Sequence, residues 1–181
     1  AVLEAAPHGA LNVHPSLLPR YRGAAPIPAA ILRGDQQTGV SVIKLVRRMD
    51  AGPVVAQQEQ DIMPADTTGS LSARLAQQAA DLLPAVCTAW VAGKLTPSEQ
   101  DESAATYTHE WTKDDARIDW SMPADAIERL TRAARPWPIA WTIADGERFQ
   151  VLLAAPVAAH ADDALPLGAV QVFESRVLVQ T

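Results

Sequence analysis

Apolar and polar positions divide the chain into three kinds of pattern. Short apolar runs broken by irregular loops come first, then one long helical period, then short runs again. LNVH, residues 11–14, follows a Gly turn and reads as a short buried strand. AAPIPAAILR, residues 24–33, suits a short helix closed by Gly34. TGVSVIKLVRRMDAG, residues 38–52, reads as a β-branched strand that ends in a polar turn, and PVVAQQEQDI, residues 53–62, as a second strand close enough to pair with it antiparallel. Leu71, Leu75, Leu82, Leu83, Val86 and Trp90 recur at helical spacing and predict a helix over 70–92. Thr68 is its expected cap, and Pro84 is expected to kink or divide it.

Residues 93–120 change character, being polar with few apolar anchors, and read as a linker into a new element. Residues 121–135 suit a helix with Ser121 as cap and with Ile127 and Leu130 on one face. Short strands are expected at 139–144 and 147–154 around an Asp145-Gly146 hairpin turn, then at 168–173 and 176–180. The fold class is therefore α/β first and β-rich second. The division falls into 1–99, a linker at 100–112, and 113–181. Both chain ends read as cut: the first part has few strands for a full α/β sheet, and the last strand leaves little chain to close a barrel.

A length of 181 residues is enough to bury a sizeable core, and no apolar run is long enough to span a membrane. The start has no signal-peptide pattern. The single cysteine, Cys87, can form no internal disulfide and is expected as a buried thiol on an apolar helix face, with nothing to suggest secretion. The net charge of −6 is uneven: +3 over residues 1–50, −3 over 51–100 and −6 over 101–181. A generic nucleic-acid binder is not indicated, because phosphate binding needs a basic field. A local basic patch near residues 20–22 and 44–48 remains compatible with the sequence.

The chemistry-bearing stretch is ALNVHPSLLPRYRGAAP, residues 10–26. Side chains two apart on a strand share a face, so Asn12 and His14 are expected to do so. Pro15 keeps His14 out of helical angles. If the strand containing MDAG is its neighbour, Asp50 arrives near His14 from the side. His takes a proton near neutral pH, a carboxylate orients it, and a carboxamide donates to an oxygen that becomes negative. That set suits direct attack of an amine on a carbonyl carbon, without a Ser or Cys nucleophile. On spacing alone, a His beside a Pro and an Asn at a strand end are equally ordinary turn residues. Arg20 and Arg22, flanking Tyr21, suit phosphate, a carboxylate, or only water. His8, His14, His109 and His160 lack metal-ligand spacing, so no metal is expected.

NVHPSLLPRYRGAAPI, TGVSVIKLVRRMDAGPVVAQ, TYTHEWTKDDARIDW and RAARPWPIAW together resemble the folate-dependent formyltransferases. The ARIDW and PWPIAW segments favour the branch that acts on methionyl-initiator tRNA over the amino-sugar nucleotide branch. The resemblance implies a formyl donor, 10-formyltetrahydrofolate, used as co-substrate without a metal, in the cytoplasm. It implies catalytic Asn12, His14 and Asp50: Asn12 holds the oxyanion, His14 assists proton transfer, and Asp50 orients His14. It implies the C-terminal portion of a Rossmann-like catalytic domain, then a partial oligonucleotide-binding-type (OB-like) β-barrel that helps to hold tRNA, with Arg20, Arg22 and Lys113 as expected substrate contacts. Arg117, Arg129, Arg132 and Arg135 are further basic candidates. Glu110 stands where relatives commonly carry Lys, and the second part is acidic. The resemblance also implies a preceding dinucleotide-fold half outside this chain, a monomeric parent enzyme, and self-association of a fragment with an exposed sheet edge. A non-catalytic RNA-binding fragment is the alternative from a different class.

Overall fold

The computed structural model describes residues 6–158, 165–173 and 176–181. In chain order the elements are β1 (Leu11–His14), β2 (Arg22–Gly23), α1 (Pro26–Arg33), β3 (Gln37–Lys44), β4 (Val54–Asp61), α2 (Thr68–Val91), β5 (Tyr107–Thr108), α3 (Ala124–Ala133), β6 (Trp141–Ala144), β7 (Glu147–Gln150), β8 (Val170–Phe173) and β9 (Arg176–Val179). The main sheet has the order β1-β3-β4, antiparallel throughout. Its central strand, β3, is buried on both faces from Thr38 to Ile43, and its small and β-branched residues fit that burial. Register places Asn12 opposite Ile43 and His14 opposite Ser41.

Helix α1 begins with Pro26, whose fixed φ suits a first turn, and stops at Gly34, which takes the left-handed conformation at φ 75°. Ile31 of α1 packs with Val40 of β3, Leu71 and Leu75 of α2, and Ala133 of α3. A second cluster joins Val42, Val55 and Val86. A third holds Ala116, Ile118, Ile127, Leu130, Ala134, Ala140 and Trp141. Because Ala133 lies in the same cluster as the sheet, α3 is tied directly to the first part of the chain. The Thr68 hydroxyl adds a bond to the Ala133 carbonyl at 2.6 Å.

Several expectations need correction. The cap of α2 is Thr67, not Thr68: Thr67 Oγ1 accepts from the Ser70 amide, and Ser70 Oγ accepts from the Thr67 amide. Pro84 does not divide α2, which runs unbroken to Val91. Pro84 lies on the exposed side, where water can take the place of the missing helix bond. Cys87 is exposed. Leu71, Leu75 and Val86 mark the buried stripe of α2, and Cys87 sits one residue, about 100° of helix rotation, away from it. Ser121 does not cap α3, which starts after Pro123, and its hydroxyl donates to Asp119 instead. The strand expected to run toward Asp50 stops at Lys44, so Asp50 stands on a loop.

Asp145 and Gly146 both take positive φ, 51° and 81°, and close the β6–β7 hairpin as expected. Among the described residues, β8–β9 forms a separate two-stranded sheet. Among the described residues, no helix is long and apolar enough to cross a membrane.

Candidate active site

His14 ends β1 and is 4% exposed. Its Nε2 lies 2.9 Å from the carbonyl oxygen of Tyr21. A carbonyl only accepts, so Nε2 carries the hydrogen and donates. In the neutral ring this leaves the lone pair on Nδ1, which faces Asp50 Oδ2 at 3.6 Å. The Tyr21 carbonyl reaches the ring because Tyr21 takes φ 61°, an uncommon backbone region for a bulky residue. Its phenol is anchored on the other side by Asp35 Oδ2 at 2.5 Å.

The loop over residues 45–53 brings Asp50 to this point. Asp50 also has positive φ, 50°, a region Asp tolerates better than most residues. Its Oδ2 accepts the Gly23 amide at 2.8 Å. One carboxylate oxygen thus faces both β2 and His14. Asn12 is half-buried two residues before His14 on the same strand, and its carboxamide makes no hydrogen bond to a described residue. The structure therefore sets His14 against Asp50 and keeps Asn12 two residues before His14 on the same strand. A neutral imidazole beside a carboxylate can accept a proton, and a carboxamide with no hydrogen bond to a described residue can donate to an oxyanion.

The bend after His14 is held from beneath by side chains that sequence patterning did not single out. Ser41 Oγ donates to the Ser16 carbonyl at 2.6 Å and accepts the Leu18 amide at 3.1 Å. Gln57 Nε2 reaches both Ser41 Oγ and the Leu18 carbonyl. Ser41 and Gln57 occupy facing positions of β3 and β4, and polar residues inside a β-branched run were the available signal.

The arginines separate. Arg20 is half exposed and pairs with Asp35 at 2.8 Å. Arg22, expected as a substrate contact, is turned inward and fully buried. Gln100, Glu102 and Tyr107 take up its guanidinium, leaving it no face toward solvent. Arg48 joins Glu102 and Tyr107 from outside, while Arg47 is exposed. The linker thus lies against the site: β5 pairs in parallel with β2, and Thr106 Oγ1 accepts the Tyr21 amide.

Hydrogen bonds from Arg22 and then Arg48 hold the Glu102 carboxyl down from 4.5 to about 2. A depressed carboxylate favours the fold above its unfolded value, and that contribution fades as pH falls from there through about 2. Carboxyl-carbon NMR is expected to show Glu102 titrating near 2, and to show a rise toward 4.5 in Arg22→Ala. An unshifted wild-type midpoint would contradict the closed cluster.

Lys113 lies elsewhere. It is exposed and lines an open hollow with Trp137, Arg148, Phe149 and Gln150. Trp137 and Phe149 present more than half their surface to solvent there. The other basic candidates are mostly engaged within the protein. Arg129 binds Asp125 and the Leu32 carbonyl, Arg132 binds Glu128 and the Asp66 carbonyl, and Arg135 reaches the Leu152 carbonyl. Arg117 stacks over Trp141 at 5.6 Å.

Comparison with known proteins gives the family. A family model described as formyl transferase matches residues 1–87, and one described as formyl transferase, C-terminal domain, matches residues 110–181. The chain is 46% identical over 151 residues to methionyl-tRNA formyltransferase of Stutzerimonas stutzeri, covering 83% of this chain and 48% of that protein. It therefore spans about half the length of the curated relatives it matches. A likely sugar N-formyltransferase from Mycobacterium tuberculosis superposes with TM-score 0.68 at 26% identity, over 82% of this chain and 66% of the other. HypX from Aquifex aeolicus in complex with tetrahydrofolic acid has the same fold at TM-score 0.70 and 20% identity, over 94% of this chain and 30% of the other. With both models matched in order along one mixed α/β chain, the protein belongs to the formyl transferase family.

Proposed function

We propose that this chain carries the transfer centre of an enzyme that moves the formyl group of 10-formyltetrahydrofolate to the α-amine of methionyl-initiator tRNA. The observation that carries the reading is Nδ1 of His14 facing the Asp50 carboxylate at 3.6 Å, with Asn12 two residues before His14 on the same strand. The amine nitrogen attacks the formyl carbon, and the carbonyl oxygen takes the electron pair. The Asn12 carboxamide donates to that oxyanion. The ammonium proton passes to His14 Nδ1, with Asp50 placing negative charge beside the ring. As the oxyanion collapses, the bond from carbon to the donor's N10 breaks, and the proton goes to that nitrogen. Charge balances without a covalent enzyme intermediate.

The acceptor follows from the second half. The match to the C-terminal domain and the high identity to the Stutzerimonas stutzeri enzyme support methionyl-tRNA. We read residues 1–99 as the C-terminal portion of a Rossmann-like catalytic domain, 100–112 as linker, and 113–181 as part of an OB-like barrel facing tRNA. Lys113 and Arg148 beside exposed Trp137 and Phe149 fit a nucleic-acid strand, because cations meet phosphates and rings stack on bases. Arg20 fits the acceptor side, whereas Arg22 supports the site from within.

The test places this sequence in the matching region of the Stutzerimonas stutzeri relative and offers two acceptors with the same formyl donor. Formylation of methionyl-tRNA with none of an amino-sugar nucleotide is the expected result. The opposite preference would assign the chain to the sugar branch, the activity of its Mycobacterium tuberculosis structural neighbour. RNA binding without transfer to either acceptor would overturn the enzymatic reading.

A further inference from the structure

Gln100 is the crosspiece between the linker and the Asp50 loop. Its Nε2 donates to the Asp50 carbonyl at 2.8 Å and to the Gly52 carbonyl at 2.7 Å. Its Oε1 accepts from Arg22 Nε at 3.0 Å and from Arg22 Nη2 at 2.8 Å. One amide therefore has both ends fully used. One end grips the backbone on either side of Ala51, and the other grips the buried guanidinium of the residue next to Gly23. Gly23 in turn donates to Asp50 Oδ2. The result is a closed ring of contacts: Asp50 backbone, Gln100, Arg22, Gly23, Asp50 carboxylate.

The linker backbone reinforces this placement. The Ser98 amide and carbonyl pair with Val54 at 2.9 and 2.8 Å, just beyond the loop. The Arg22 amide donates to the Thr106 carbonyl at 2.8 Å, so Gln100 is fixed from both sides along its own chain. Asp50 needs such support. It stands six residues beyond β3 in a left-handed backbone conformation, with no strand to set its direction.

We infer that Gln100 is a positioning residue for the transfer reaction, setting Asp50 against His14 through the two loop carbonyls and not through contact with substrate. The linker joining the two matched regions thus also forms part of the support of the site. This inference rests on the reading of Asp50 as part of the transfer centre.

Gln100→Glu separates positioning from simple structural support. Glutamate keeps an acceptor for Arg22 but loses both donors to the Asp50 and Gly52 carbonyls. Two readouts are taken. In the 181-residue chain, the Gly23 amide NMR signal reports its bond to Asp50, with Asp50→Asn as reference. In the Stutzerimonas stutzeri chimera, steady-state transfer is measured over a range of donor concentrations.

The expected Gln100→Glu protein melts at the wild-type temperature, moves the Gly23 signal in the direction of Asp50→Asn, and lowers kcat by roughly 100-fold with the donor KM unchanged, the size of a small misplacement of a catalytic group. A wild-type kcat in Gln100→Glu overturns the inference, whatever the amide signal does. Loss of fold together with transfer also overturns it, since Gln100 would then be structural only. If Asp50→Asn itself transfers at the wild-type rate, the reading of the site fails first. If only Gln100→Glu does so, the positioning role fails alone.

Discussion

Asn12→Ala in the Stutzerimonas stutzeri chimera is expected to lower formyl transfer by about 100- to 1000-fold, the cost of removing one donor from an oxyanion site. The fold should be unaffected, because the Asn12 carboxamide makes no hydrogen bond to a described residue and its backbone pairing with Ile43 does not depend on the side chain. The loss should fall on kcat, since charge on the formyl oxygen develops only after attack. His14→Ala should cost roughly 100-fold or more, the size of a positioned proton-transfer group. The check is single-turnover transfer alongside thermal melting. Full rate in Asn12→Ala would remove the oxyanion role.

Gly52→Ala is expected to be comparably damaging for a different reason. A Cβ at Gly52 would lie 1.7 Å from the Lys44 carbonyl oxygen. The obstacle is backbone at the end of β3, so no side chain can rotate away to make room. The loop must move, and Asp50, two residues earlier, moves with it. The Gly52 carbonyl is also one of the two that Gln100 grips. Transfer should fall by roughly 100-fold or more, the effect of a displacement near 1 Å. The Gly23 amide should lose its bond to Asp50, which NMR of the variant would show directly. A Gly52→Ala chimera transferring at the wild-type rate would mean that the loop does not set the position of Asp50.

The trio was legible because each member left a local signal. Strand periodicity placed Asn12 and His14 on one face, and Pro15 fixed the geometry at the His. The MDAG turn marked Asp50, although the loop after β3 leaves the sheet at the Leu11 end of β1 and has to fold back to carry Asp50 to His14. What the sequence did not disclose were contacts made over long separations. An arginine in PRYRG reads as a surface cation, yet Arg22 is buried because Glu102, eighty residues later, neutralises it. Gln100 sits in a polar linker where nothing local marks it as bound to the Asp50 loop. The Tyr21 carbonyl could not be named either, since backbone groups carry no residue-type signal. The misread details of α2 have a narrower cause. Helical spacing fixes a face to within one residue, and that margin separates buried Val86 from exposed Cys87.

The central claim is that Asn12 and His14 of β1, with Asp50 beside His14, perform the transfer. Its most direct test is single-turnover formylation of methionyl-tRNA by the Stutzerimonas stutzeri chimera, wild type against Asp50→Asn. Asn keeps the size of Asp50 and tolerates its left-handed backbone, so the change removes the charge and turns one acceptor oxygen into an N–H donor. The expected result is rapid formyl-methionyl-tRNA formation by the wild-type chimera, falling roughly 100-fold in the variant with its melting temperature retained. Equal rates in the two proteins would contradict the account.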